Sequence, residues 1–312
     1  MPKAGDEDFA WEQETRGSAD QMEVQDKSLS QQQLDAYHRD GFLVIEGFAS
    51  PSEVAEVRQR AAELVEGFQP ATRSVFSTKS QATTTDDYFL DSASNISFFF
   101  EENAFQEDGN LRQDKALSIN KIGHALHDAD PIFRSFSRSR KVTQLISSLG
   151  FQRPLPVQSM YIFKQPKIGG EVRPHQDSTF LYTHPPSVVG LWWALEDATR
   201  TNGCLWAYPG SHARGVARRF LRTPDNKVAF DKDVDYLQML SKDDFVPLEV
   251  PSGSLVLLHG ANVHFSYENT SGKSRHAYSM HVIEGAPSHT YAPNNWLQRK
   301  QDFSFEPLEA AA

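Results

Sequence analysis

From Gly150 onward the chain falls into short β-prone runs, at 156–165, 188–195, 203–208, 254–258 and 276–283, separated by Gly, Pro, Asn and Asp. Short strands spaced this regularly by turn residues predict a β-sandwich or barrel. The first half reads differently. Ser28-Leu29-Ser30-Gln31 opens a short helix carrying Leu34 and Tyr37, which stops near Asp40-Gly41, and Phe42–Ile45 follows as a strand. Ser50-Pro51-Ser52-Glu53 combines a capping residue, a first-turn proline and an acid three positions on. Val54, Val57, Ala61, Leu64 and Val65 then recur at helical spacing as far as Gly67. A further helix is predicted from Asp130-Pro131, with Ile132, Phe133, Phe136, Val142, Leu145, Ile146 and Leu149 as its apolar face and Gly150 as its stop. No repeat and no Gly/Ser-rich linker divides the 312 residues. The expected layout is a flexible polar arm over 1–28 and one domain over 29–312, mainly β with flanking helices. Its helical buttress is concentrated in 29–150 and most of its strands in 151–290.

Composition narrows the function classes. With 31 Lys+Arg against 41 Asp+Glu the formal charge is −10, the wrong sign for a protein that coats nucleic-acid phosphates. The single cysteine, Cys204, excludes an internal disulfide and a thiolate-rich metal site, and reads as a small buried hydrophobe. The longest apolar runs, Phe42–Ile45, Leu191–Leu195 and Leu255–Leu258, fall far short of the roughly 18 residues of a spanning helix. Met1–Glu14 is acidic and polar, unlike a secretory signal. The expectation is a cytoplasmic protein with a small-molecule substrate and no membrane or nucleic-acid partner; the sequence sets no oligomeric state.

One pattern carries chemistry. In Arg173-Pro174-His175-Gln176-Asp177, positions i and i+2 of an extended segment point the same way, so His175 and Asp177 can aim a ring nitrogen and a carboxylate oxygen at one point. A third ligand would complete the two-histidine-one-carboxylate triad, which leaves open positions on Fe(II). Alone the triplet says little, because His38-Arg39-Asp40 has the same spacing at a helix end. After the apolar strand Leu255–Leu258, however, come His259 and His264, and then Arg275 at the start of the next strand, where a guanidinium can grip a carboxylate in bidentate fashion. By spacing, His259 and His264 compete equally for the third position.

Longer blocks go with this pattern: Asp40–Val44, Ser118–His127, Gln158–Gln165, Gly169–Val172, Pro174–Asp177, Glu196–Thr199, Asn202–Trp206 and Pro209–His212. Through them the chain, from about Gly41 to Trp296, resembles the phytanoyl-CoA dioxygenase family of Fe(II)/2-oxoglutarate oxygenases. The resemblance implies a double-stranded β-helix, or jelly roll, and an enzyme that uses Fe(II), 2-oxoglutarate and O2 to hydroxylate a small organic substrate with release of succinate and CO2. It implies His175, Asp177 and His264 as iron ligands. Arg275, helped by Ser266, is implied as the partner of the distal 2-oxoglutarate carboxylate. Lys121, Met160 and Trp193 are implied as lining the co-substrate pocket. His124 and His127 read as residues of a short helical patch.

Two other functions fit parts of the pattern. A non-catalytic jelly-roll binding module would keep only a vestigial pocket, and a hydrolytic zinc site on the same ligands would work without O2. The Arg214–Arg222 stretch, with its four arginines, is either a solvated loop or a site for CoA phosphates.

Overall fold

The computed structural model describes residues 28–70, 73–79 and 85–309. The expected polar arm before residue 28 lies outside the described residues. In chain order the strands are β1 (Phe42–Ile45), β2 (Ile96–Phe100), β3 (Ile119–His124), β4 (Pro154–Ile162), β5 (Val172–His175), β6 (Thr183–His184), β7 (Val189–Ala194), β8 (Leu205–Ala207), β9 (Phe220–Arg222), β10 (Val228–Phe230), β11 (Val246–Leu248), β12 (Leu255–His259), β13 (His264–Ser266), β14 (Ala277–Glu284) and β15 (Thr290–Tyr291). A seven-stranded antiparallel sheet runs β1-β12-β7-β14-β4-β3-β2, and a four-stranded sheet runs β11-β8-β13-β5. Together they form the jelly-roll core.

Alternation along the strands of the large sheet decides what each face meets. In β7, Leu191 and Trp193 join the core beneath the helices, while Trp192 and Ala194 pack toward Leu205 and Ala207 of the small sheet. The same parity holds in β14 and β12. Tyr278, Met280, Leu255 and Leu257 face the helices, and Ala277, Val256 and Leu258 face inward. The inner face therefore looks onto the small sheet, and the cavity described below opens between them.

The helical layer forms where the capping chemistry places it. Ser50 caps Pro51–Gly67, its hydroxyl accepting from the Glu53 backbone while the Glu53 carboxylate accepts from the Ser50 N–H. Val54, Val57, Ala61 and Val65 are the buried stripe of this helix. The single helix expected from Asp130 is instead two, Pro131–Ser137 and Arg140–Ser148. Ser139 is extended, and its hydroxyl donates to the Phe136 carbonyl, closing the first helix by satisfying a terminal acceptor. The first half also contributes more sheet than its helical pattern implied. Ile96–Phe100 is buried on both faces and shows no alternation, and Ile119–His124 is a strand rather than part of a helical patch. The short helix Leu126–Ala129 begins only after it.

Trp193 is fully buried, with ring centroids of Phe136, Tyr278 and Phe48 at 5.2, 5.6 and 6.4 Å. It is a strut between sheet and helices. Trp193→Ala is expected to destabilise the protein by about 3–5 kcal/mol, read as a lower urea midpoint at unchanged m-value. Trp193→Phe is expected to leave 2-oxoglutarate affinity within about twofold, because the side chain points into the core beneath the helices and not into the cavity.

Candidate active site

A cavity of about 570 Å³ lies between the two sheets, lined by residues of both. Three groups able to hold a metal come from the small sheet and the turn that follows β5. β13 pairs antiparallel with β5 so that His264 and His175 are register partners, with ring centroids 4.3 Å apart. Asp177 follows in the 3₁₀ turn Asp177–Thr179. Asp177 Oδ1 stands 3.8 Å from His175 Nε2 and 3.7 Å from His264 Nε2. Those separations are too long for hydrogen bonds. The three side chains still bring one ligand atom each within 4.8 Å of one another.

The far side of each ring fixes what the near side offers. His175 Nδ1 donates to the Arg173 carbonyl at 2.9 Å, and His264 Nδ1 to the Asn262 carbonyl at 3.2 Å. A carbonyl can only accept, so Nδ1 carries the proton in both and the Nε2 lone pairs converge on the carboxylate. Burial, with His264 nearby, pulls the His175 imidazole down to about 4, so it is neutral at pH 7. Burial alone would raise Asp177, but the facing histidines His281, His264 and His175 hold its carboxyl below the usual carboxylate range. Two neutral imidazoles and one ionised carboxylate are the ligand forms that Fe(II) takes. Asp177 Oδ2 is buried, with His281 Nε2 3.3 Å away. The donor set fits a bound cation.

Deeper in the cavity is a cationic end. Arg275 is 2% exposed; its Nε donates to the Gly203 carbonyl at 3.0 Å, and its Nη1 is buried with no partner among the described residues. Burial lowers its pKa to about 10, which still leaves it charged at pH 7. Ser266 Oγ accepts from Lys164 Nζ at 2.9 Å, so the serine proton remains available to a ligand. Lys164, which no spacing argument singles out, is itself buried and also donates to the Gly170 carbonyl at 2.6 Å. A Cβ on Gly203 would sit 2.6 Å from Lys164 Cε, so glycine there makes room for the lysine. Lys121 Nζ, from β3 of the large sheet, lies 3.3 Å from the Phe76 ring centroid and 3.7 Å from Met160 Sδ, with no ion pair among the described residues. Burial pulls its pKa down to about 7.

Of the residues expected at the site, Lys121, Met160, His175, Asp177, His264, Ser266 and Arg275 line this one cavity, and Trp193 does not. The reason is strand parity. Trp192, not Trp193, points inward, and the Arg275 guanidinium lies 5.1 Å over its ring. His259 is elsewhere too. It ends β12 with its ring 4.9 Å from that of His212, and its Nδ1 accepts from the Ala261 N–H. His212 in turn contacts the His38 carbonyl at 3.0 Å. The Arg214–Arg222 arginines are engaged internally: Arg218 with Asp235, Arg219 with Asp231, Arg222 with the Trp296 carbonyl and Arg214 with Tyr208.

The pattern of the family described as phytanoyl-CoA dioxygenase (PhyH) matches residues 37–277. The chain belongs to this family. It is 54% identical to a phytanoyl-CoA dioxygenase of Arabidopsis thaliana over 87% of its own length and 94% of the relative's. It is 48% identical to phytanoyl-CoA dioxygenase domain-containing protein 1 of Mus musculus over 90% and 98%. Among solved structures, the epimerase SnoN in complex with Fe3+, alpha ketoglutarate and nogalamycin RO matches with a TM-score of 0.59 at 16% identity, covering 89% of this chain and 93% of that one. EctD from S. alaskensis with bound Fe matches at 0.56 and 19%, covering 82% and 76%. These two likenesses carry the fold. As a family member the chain is a 2-oxoglutarate-dependent dioxygenase that uses iron and O2 and acts on a small molecule. No described helix is long and apolar enough to cross a membrane.

Gly190, on β7 opposite His281, makes room for the ligand carboxylate: a Cβ there would stand 2.7 Å from Asp177 Oδ2. Gly190→Ala is expected to weaken Fe(II) binding about tenfold or more, measured by equilibrium dialysis, with the circular dichroism spectrum unchanged.

Proposed function

We propose that the chain hydroxylates a small organic substrate, releasing succinate and CO2, with iron held by His175, Asp177 and His264. The observation that carries this reading is the convergence of those ligand atoms in one cavity with a buried arginine whose Nη1 has no partner among the described residues. When bound, iron and 2-oxoglutarate supply the O2-activating, oxidising chemistry. The chain's own residues do the rest. Arg275 Nη1 and the Ser266 hydroxyl bind the distal carboxylate of the keto acid. Lys121 gives that wall of the cavity a second cation, and Met160 packs beside it. The two backbone-held Nδ1–H groups keep both imidazoles in the ligand tautomer. Three convergent ligand groups and a charged arginine whose Nη1 has no partner among the described residues favour this reading over a non-catalytic module. The internally engaged arginines of 214–222 favour a small organic substrate over one anchored there by CoA phosphates.

The iron-loaded protein is expected to convert 2-oxoglutarate to succinate only in the presence of O2, and His175→Ala to abolish this. Succinate formation surviving in that variant would remove the assignment, and activity under anaerobic conditions would favour a hydrolytic zinc site. Arg275→Met is expected to raise the KM for 2-oxoglutarate on the order of 100-fold, the cost of losing one partner of a buried charge pair.

Lys121 gives a pH signature. Below about pH 7 the free protein already holds the charged lysine, so carboxylate binding needs no proton uptake. Above it the neutral lysine has to take up a proton on binding. Affinity for 2-oxoglutarate is therefore expected to fall as pH rises above about 7, by about tenfold per unit at most, until the pKa of the complex is reached. Isothermal titration across pH 6–9 measures the slope, which Lys121→Met is expected to remove.

A further inference from the structure

One buried cavity residue has no part in holding iron or keto acid. His124 ends β3, is fully buried and lines the cavity. Its Nδ1 lies 2.7 Å from Ser92 Oγ. The Ser92 hydroxyl has a single proton and donates it to the Phe89 carbonyl, which can only accept. The proton between Ser92 and His124 therefore belongs to the imidazole. Nδ1 is the N–H, and Nε2 presents a bare lone pair that is buried with no partner among the described residues.

The surroundings keep that lone pair in place and available. The rings of Phe89, Phe99 and Trp296 have centroids 5.3, 5.5 and 5.2 Å from the imidazole. Burial, with Lys121, His281 and Arg299 nearby, pushes its pKa well below the usual histidine value, so the ring stays uncharged. His124 pairs with Ser159 of β4, the neighbouring Gln158 pairs with His281 of β14, and His281 Nε2 lies 3.3 Å from Asp177 Oδ2, so a group docked on His124 shares this wall of the cavity with the candidate metal ligands. Phe89, Phe180, Leu181 and Trp296 make the adjoining wall apolar. An acceptor left unsatisfied in such a wall carries a desolvation penalty that an incoming donor relieves.

We propose that His124 is a substrate-recognition residue. Its Nε2 accepts a hydrogen bond from a hydroxyl or N–H on an otherwise apolar primary substrate. The proposal rests on the oxygenase reading and names the substrate class for it: an apolar body with a neutral donor group, seated beside the metal centre.

The test uses the full chain loaded with Zn(II) in place of iron, with 2-oxoglutarate bound, and two probes of matched length, 1-octanol and heptyl methyl ether. Long-range 1H–15N spectra of the imidazoles, with the His124 signals assigned by their loss in His124→Phe, are expected to show the Nδ1–H tautomer. The Nε2 signal is expected to move upfield with the alcohol and not with the ether. In a tryptophan-fluorescence titration the alcohol is expected to bind about five- to tenfold more tightly than the ether, a preference lost in His124→Phe. Ser92→Ala, which keeps the imidazole but frees its tautomer, is expected to reduce the preference, and serves if the phenylalanine variant does not fold. An Nε2–H tautomer in the parent protein, or equal affinity or no binding for both probes, would overturn the proposal. Absence of succinate formation by the iron-loaded parent would overturn the oxygenase reading and leave the spectra as they stand.

Discussion

The site depends on the cross-strand pairing of β13 with β5, which sets His264 opposite His175. Two imidazoles on adjacent strands would ordinarily turn outward or stack as neutral rings. Here each is held from behind by a backbone carbonyl two residues earlier in its own chain, Arg173 for His175 and Asn262 for His264. Backbone acceptors of this kind fix both tautomer and ring direction. The strand ends after His175, and the turn that follows brings Asp177 under both rings rather than past them. Geometry and protonation state thus come from one local feature: short strands, each with a histidine bonded to its own backbone.

The large sheet supplies the complementary wall. Strand alternation lets one face carry the helices through residues such as Trp193 and Tyr278, while the other presents Lys121, Met160, Ser279 and His281 to the cavity. Glycine at 190 leaves the space into which the Asp177 carboxylate projects. Charge is distributed to match. Arg275 Nη1 has no partner among the described residues, and the Asp177 carboxylate lies between histidines. A dianionic keto acid held at both ends would match this distribution of charge.

Much of this was legible in the chain, for identifiable reasons. The His-x-Asp triplet shows that both side chains reach one point because side-chain parity in an extended segment is a local property. Strands β4, β7, β8, β12 and β14 are bounded by turn residues, so their positions follow from composition, whereas the two- and three-residue strands β6, β9, β10, β11 and β15 are too short to leave a pattern. The capped helices at Gln31 and Pro51 declare themselves through Ser30 and Ser50. What failed was what depends on tertiary context. Ile96–Phe100 lies between covering layers and shows no alternation. Adjacent Trp192 and Trp193 differ only in which face of β7 they occupy, and no residue type reveals that phase. His259 and His264 were equivalent by spacing, and the structure separates them, turning one toward His212 and Tyr37 and the other into the cavity. Lys164 was invisible because its role comes from burial beside Ser266, which is set by folding rather than by pattern.

The central claim is that one iron ion and one keto acid occupy this cavity through these side chains. A crystal grown without O2 in the presence of Fe(II) and 2-oxoglutarate tests it directly through an anomalous-difference map at the iron edge. The account predicts a single peak at coordination distance, about 2.2 Å, from His175 Nε2, Asp177 Oδ1 and His264 Nε2. The distal carboxylate of the keto acid should then lie on Arg275 Nη1. An iron peak on other residues, or a keto acid bound away from Arg275, would contradict it.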